Sequence, residues 1–268
     1  MKRDLSYTFT AYLVLFVLIV FNLSPIIYMI ILSFKPNAEI LRGGFLPEQP
    51  TLEGFISVFT RWHMAQNFVN SLIIASLTCI IAILAGIFGA YLLGRLNFPG
   101  KFIFVIAIIV GFSYPSAAIL VSVYINLTAL GLYGSYIGQV IAICSYELPY
   151  VIWILKDFFT RLPKNIEEAA MVDGCTHLGA FLRVVLPISR PAIGAIAVLS
   201  FLSGWRNFMF TSILSTPKTM PVAPKLYHMI VLGLNDYSGM MAATLLGSIP
   251  TILIYVALQK YVVAGLRS

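Results

Sequence analysis

Residues 163–191 read PKNIEEAAMVDGCTHLGAFLRVVLPISRP, a polar and charged island in an otherwise apolar second half of the chain. Asn165 precedes Ile166, Glu167 and Glu168, the pattern of a helix N-cap whose partner carboxylate lies three residues on. Acidic residues in a first turn also suit the helix dipole. Asp173-Gly174 follows after about two turns, where glycine takes the left-handed conformation that ends a helix. Thr176 is then placed to cap a second helix running to Leu186. The stretch therefore predicts helix, tight turn, helix. Ala169 and Ala170 leave a small-residue surface open to close approach, and Ile166, Leu178, Phe181 and Leu182 offer apolar contacts beside Glu167, Glu168 and Arg183. Such a mixed surface suits a protein interface. A generic amphipathic loop is the plainer reading.

Around this island the chain is oily. Of its 268 residues 60% are hydrophobic and 10% charged, with mean hydropathy +0.94, beyond the apolar share of soluble domains. The expectation is an all-α, polytopic membrane protein in a single domain over residues 1–268. Six spans are predicted, at about residues 11–33, 67–93, 102–124, 136–155, 192–214 and 240–263. The first lacks a small-x-small cleavage site and reads as uncleaved. Pro115 should kink or break the third near its middle. Residues 34–66 and 215–239 are the polar loops on one side, and residues 156–191 form the central loop on the other.

The net charge of +7 is read by position, because basic residues flanking spans set topology. Lys2, Arg3, Arg95, Lys101, Lys156, Arg161, Lys164, Arg183, Arg190, Lys260 and Arg267 fall on the central-loop side. Lys35, Arg42, Arg61, Lys218 and Lys225 fall on the other. The bias puts both termini and the central loop in the cytoplasm. No nucleic-acid-binding pattern occurs. Cys79, Cys144 and Cys175 are spaced for neither a metal site nor a disulfide framework and read as reduced, structural thiols.

The central loop resembles the signature of ABC importer permeases, written E-A-A, three residues, G, nine residues, I-x-L-P. Glu168, Ala169, Ala170, Gly174, Leu186 and Pro187 meet it, and Val184 stands where Ile is usual. The likeness extends over nearly the whole chain to the carbohydrate branch of the maltose-transporter MalG type. It is carried by Asn70-Ser71-Leu72, the LGRLNFPGK turn, LTALGLYGSYIG, Leu148-Pro149 to Trp153, and LQKYVVAGL. The resemblance implies a type I importer permease fold in the inner membrane of a bacterium or archaeon. It also implies two ATPase subunits, a second and different permease, an extracytoplasmic solute-binding protein, and a sugar as substrate. Glu167, Glu168, Ala169, Ala170, Gly174, Leu186 and Pro187 become the ATPase-coupling residues, and residues 215–239 a surface for the solute-binding protein or simply a structured connection. The chain has no G-x-x-x-x-G-K-[ST] phosphate loop, so it is expected to be a transport subunit without a cofactor of its own, with ATP–Mg bound by the ATPase.

Two charges fall inside predicted spans, Glu147 and Arg206, where charge is costly and marks function by default. They are read either as a structural ion pair or a snorkelling arginine, or as an acceptor for sugar hydroxyls and a donor to an anionic substrate. Sugar rings need aromatic faces with nearby polar groups, and Tyr114, Asn126, Tyr146, Trp205 and Asn207 are the further candidates for the path. At Trp205-Arg206-Asn207-Phe208 the family usually reads Trp-Asn-Glu/Asp-Phe/Tyr, so a cation replaces an amide here. The same type of importer serving a polyol, an anionic oligosaccharide or glycerol phosphate is the alternative. A self-contained channel or a membrane-embedded enzyme is the reading from another class, opposed by the docking loop and by the lack of any catalytic motif.

Overall fold

In lipid every backbone polar group must be bonded within its own segment, so apolar runs of this length fold as helices. The computed structural model describes residues 5–232 and 235–267, and among them there is helix and no strand. Lys2 and Arg3, which bear on topology, and residues 233–234 of the loop 215–239 lie outside the described residues, as do the side chains of Lys260 and Arg267.

The first span is α1 (Leu5–Ser33), and the loop after it carries α2 (Asn37–Arg42) and α3 (Glu53–Thr60). The second is α4 (Ala65–Arg95). The third run holds α5 (Lys101–Ser113) and α6 (Ser116–Ala129), and the fourth is α7 (Tyr136–Arg161). The central segment comprises α8 (Asn165–Val172), α9 (His177–Ala180), a π-helical turn at Phe181–Val185, and α10 (Leu186–Ile188). The fifth run holds α11 (Arg190–Arg206) and α12 (Met209–Leu214). Then α13 (Val222–Val231) lies in the last loop and α14 (Tyr237–Arg267) is the sixth span.

Four of these helices, α1, α4, α7 and α14, are each long and apolar enough to cross a membrane, and six crossings result if two bent pairs each count once. The third predicted span is no straight rod, because α5 and α6 meet at 103°. Tyr114 before the proline is extended, with φ −76° and ψ 139°, as the ring of Pro115 requires. The second bent pair is His177–Ile188 with α11, which meet at 75°. The fifth predicted span is also cut short, since α11 ends at Arg206 and Asn207 leaves the helix with ψ 116°.

The chain forms two compact units, one within Met1–Ala65 and Leu226–Ile249, the other within Gln66–Lys225 and Pro250–Ser268. The first is organised on Asp236, just before α14, whose side chain is 2% exposed. Its carboxylate accepts from Trp62 Nε1 at 2.7 Å, Ser57 Oγ at 2.9 Å and Asn37 Nδ2 at 3.1 Å. It also caps α14 by accepting from the Gly239 amide at 3.0 Å. One buried acceptor thus gathers α2, α3 and the start of α14. Buried Lys35 closes the same loop by donating to the Gly43 and Gly44 carbonyls, both at 2.9 Å.

In the second unit α4 is the spine. Small residues recur every fourth position at Gly86, Ala90 and Gly94, which lets α7 approach closely. A Cβ at Gly86 would fall 2.5 Å from Val151 Cγ1, and one at Gly94 3.2 Å from the Lys156 carbonyl. On another side α11 sets Gly204 against α4, where a Cβ would come within 2.8 Å of Ala75 Cα. Backbone cannot give way there. Gly204→Val is therefore expected to destabilise the protein by about 1–3 kcal/mol through overpacking, read as a lower Tm of the purified protein in detergent. An unchanged Tm would mean the two helices can part at no cost.

The opening of α4 also holds the last loop. Asn70 Nδ2 donates to the Lys218 and Met220 carbonyls at 3.0 and 2.9 Å, and Asn67 Nδ2 reaches Met220 at 2.8 Å. Ser71 Oγ accepts from the Val222 amide at 2.8 Å, while Tyr136 donates to Asn70 Oδ1 at 2.7 Å.

Candidate functional site

The central segment follows its local signals closely. Helix α8 ends where Gly174 takes φ +91°, and the Thr176 hydroxyl accepts from the Gly179 amide at 3.1 Å to cap α9. Two details differ from the sequence reading. Asn165 is the first helical residue instead of the cap, and Lys164 at the cap position makes no side-chain bond. The second helix runs on to Ile188, past the predicted end at Leu186, with a π turn just ahead of Pro187. A proline lacks the N–H and crowds the carbonyl four residues back, and a wider turn there relieves both.

The faces of this segment sort its residues more strictly than spacing does. Glu168, Ala169, Asp173, Gly174, Leu178 and Leu182 are exposed, and Val172, at 87%, is more open than Leu178 or Leu182. Together they form an apolar edge with carboxylates, suited to a protein partner. Ala170 is buried and Leu186 and Pro187 are half-buried, so these three shape the segment from within. Phe181, read as an outward contact, is 1% exposed and packs on Tyr91 with ring centroids 4.2 Å apart. The reason is a core shared by α4, α7 and the π turn, in which Tyr91, Phe159 and Phe181 interlock.

Glu167 is the sharper correction. It turns back toward α4, where its Oε1 lies 3.0 Å from Arg95 Nε, with side-chain exposures of 13% and 3%. Tyr91, one turn before Arg95, sets its hydroxyl beside the same carboxylate. In the sequence Arg95 reads only as a topology charge. The available signal was a basic residue in the last turn of a helix facing an acidic first turn, and nothing local pairs the two.

The candidates for a substrate path do not converge on one point. Glu147, in α7, is 7% exposed, with Ser200 and Ser203 of α11 as its neighbours. Its Oε2 meets no hydrogen-bond partner. Arg206 is exposed, with Nε donating to the Leu202 carbonyl at 3.4 Å. Among the described residues no ion pair joins it to Glu147, which removes the structural pair from the readings of these charges. Asn207 caps α12 by accepting from the Phe210 amide at 3.1 Å. Trp205 is buried and stacked on Phe201 at 6.0 Å, and Tyr146 packs on the core of α4, α6, α7 and α12. Tyr114 is exposed at the break between α5 and α6. Asn126 is also exposed and donates to the Ser122 carbonyl at 2.8 Å.

Residues 82–268 match the family described as "Binding-protein-dependent transport system inner membrane component". The chain is 31% identical to the inner membrane ABC transporter permease protein YcjP of Escherichia coli K12, over 100% of this chain and 97% of that protein. It is 29% identical to the trehalose/maltose transport system permease protein MalG of Thermococcus litoralis, over 92% of this chain and 90% of that one. In fold it is similar to a chain of a bacterial ABC transporter that imports the acidic polysaccharide alginate. That match has TM-score 0.84 and 20% identity, and covers 97% of this chain and 98% of that one.

Proposed function

This chain belongs to the family of inner membrane components of binding-protein-dependent transport systems, and from that premise we propose how it works within its importer. It is a multi-pass transport subunit and not an enzyme. With a second, different permease it forms the path for a sugar or oligosaccharide, delivered by an extracytoplasmic solute-binding protein. Two copies of a separate ATPase bind ATP–Mg and dock on the segment from Glu168 to Gly174. Both termini lie in the cytoplasm with that segment. The observation that carries this reading is the exposed edge of Glu168, Ala169, Val172 and Gly174 on a helix pair joined by short links to two membrane helices, α7 and α11. A rigid pair placed so acts as a lever. ATP drives alternation only if the ATPase binds the pair differently in the inward-open and outward-open states.

A sugar is favoured by the transport named for the trehalose/maltose relative. A second reading, an anionic oligosaccharide or glycerol phosphate, rests on Arg206, a cation exposed at the end of α11. The test is purification of the tagged chain from its native membrane in mild detergent. ATP hydrolysis is then assayed with the solute-binding protein and a panel of neutral and anionic sugars. An ATPase and a second permease are expected to copurify, with hydrolysis stimulated by one class of sugar. A lone chain with no ATPase would overturn the reading, and stimulation only by anionic ligands would decide for the second.

A further inference from the structure

The central segment is joined covalently to α7 and α11, and α4 is separated from it along the chain by α5, α6 and α7. Yet the end of α4 makes its most deeply buried charged contact. Arg95, the last residue of α4, places Nε 3.0 Å from Glu167 Oε1 with 3% of its side chain exposed. Neither Nε and Nη1 of Arg95 nor Oε1 of Glu167 meets hydrogen-bond geometry within the protein, so charge and confinement hold this contact together. Tyr91 packs its ring on Phe181 with centroids 4.2 Å apart and brings its hydroxyl beside Glu167. Both ends of the segment's helical core are thereby fastened to one turn of α4.

Stability alone accounts poorly for such a pair. Replacing a buried ion pair by neutral groups of similar volume is often neutral or stabilising, while removing one partner strands a charge. What the pair does supply is register, because opposite charges in a dry site tolerate little sliding. We propose that Arg95, Glu167 and Tyr91 are positioning residues that form a joint between the docking segment and α4. Through it, displacement of the segment by the ATPase is passed to α4 as well as to α7 and α11. The spine against which α7 and α11 pack then moves with the lever instead of slipping past it. This rests on the coupling role given above to the segment from Glu168 to Gly174.

The test uses the full complex in proteoliposomes with its solute-binding protein, and reads sugar taken up per ATP hydrolysed beside the amount of assembled complex. The double variant Arg95→Gln/Glu167→Gln leaves no stranded charge and is expected to assemble at the wild-type amount. Its uptake per ATP is expected to fall about fivefold, within the range found for residues along coupling networks. Either single change is expected to lower the assembled amount more than the double does. Tyr91→Phe, which keeps the ring on Phe181, is expected to assemble normally with a loss of about twofold in the ratio. A wild-type ratio in the assembled double variant overturns the joint. Should the double variant not accumulate, a wild-type ratio in Tyr91→Phe does so. Absence of any ATPase from the wild-type preparation would instead overturn the docking role itself.

Discussion

Glu168→Lys is expected to abolish uptake while the complex still reaches the membrane and still hydrolyses ATP. The side chain is exposed on α8, and among the described residues it makes no hydrogen bond or ion pair with this chain, so its loss leaves the fold intact. Reversing a charge at a protein interface costs several kcal/mol, on the order of a hundredfold or more in docking affinity. Gly174→Trp should act in the same way by a different route. A Cβ at this position meets nothing within 4 Å, but φ is +91°, so any L side chain carries a backbone penalty of about 1 kcal/mol. Gly174→Ala shares that penalty and is expected to lose little transport. Gly174→Trp projects its ring toward the partner and is expected to lose nearly all of it. Uptake rates normalised to protein in the membrane separate these cases. Full uptake in both Glu168→Lys and Gly174→Trp would sink the docking role, and a parallel loss of protein would mean that Gly174 only ends a helix.

Asp236→Ala is expected to cost about 4 kcal/mol, since it removes the buried charged acceptor to which Trp62, Ser57 and Asn37 donate. Arg61, half exposed and 3.9 Å away, adds little to this. Burial by itself would raise the Asp236 pKa, but the donors from Trp62, Asn37, Ser57 and the Gly239 amide outweigh it and hold the carboxyl below its usual range. A carboxyl held low when folded contributes its full stability above the unfolded value of about 3.9, and loses it as the pH falls through the folded value. Tm in detergent is accordingly expected to stay level from about pH 8 to pH 5 and to decline in acid below about pH 4. Asp236→Asn should lower Tm at neutral pH and flatten the acid decline. An identical acid slope in wild type and Asp236→Asn would remove Asp236 as its source.

By itself the sequence determined the features that are local. Runs of about twenty apolar residues must be helices in lipid, whatever they touch. Gly174 and Thr176 end one helix and start the next through their own backbone and side chain, and they do so in the structure. The motif spacing points to one exposed edge for the same reason, since Glu168 and Gly174 lie within one short segment.

Only tertiary structure decided which way that segment's remaining side chains turn and which helices stay whole. Pro25, Pro149 and Pro250 sit inside continuous helices, while Pro115 ends one. A proline removes the same hydrogen bond in each case, so its neighbours set the outcome. Pro149 lies against Gly111 of α5, where a Cβ would come within 3.0 Å of its ring. Adjacent glutamates likewise part company. Glu167 answers to Arg95 across 72 residues of sequence, and Glu168 faces outward. Asp236 collects Asn37, Ser57 and Trp62 from 199, 179 and 174 residues away. Charge pairing and burial depend on distance in space, and no period or spacing along the chain encodes it.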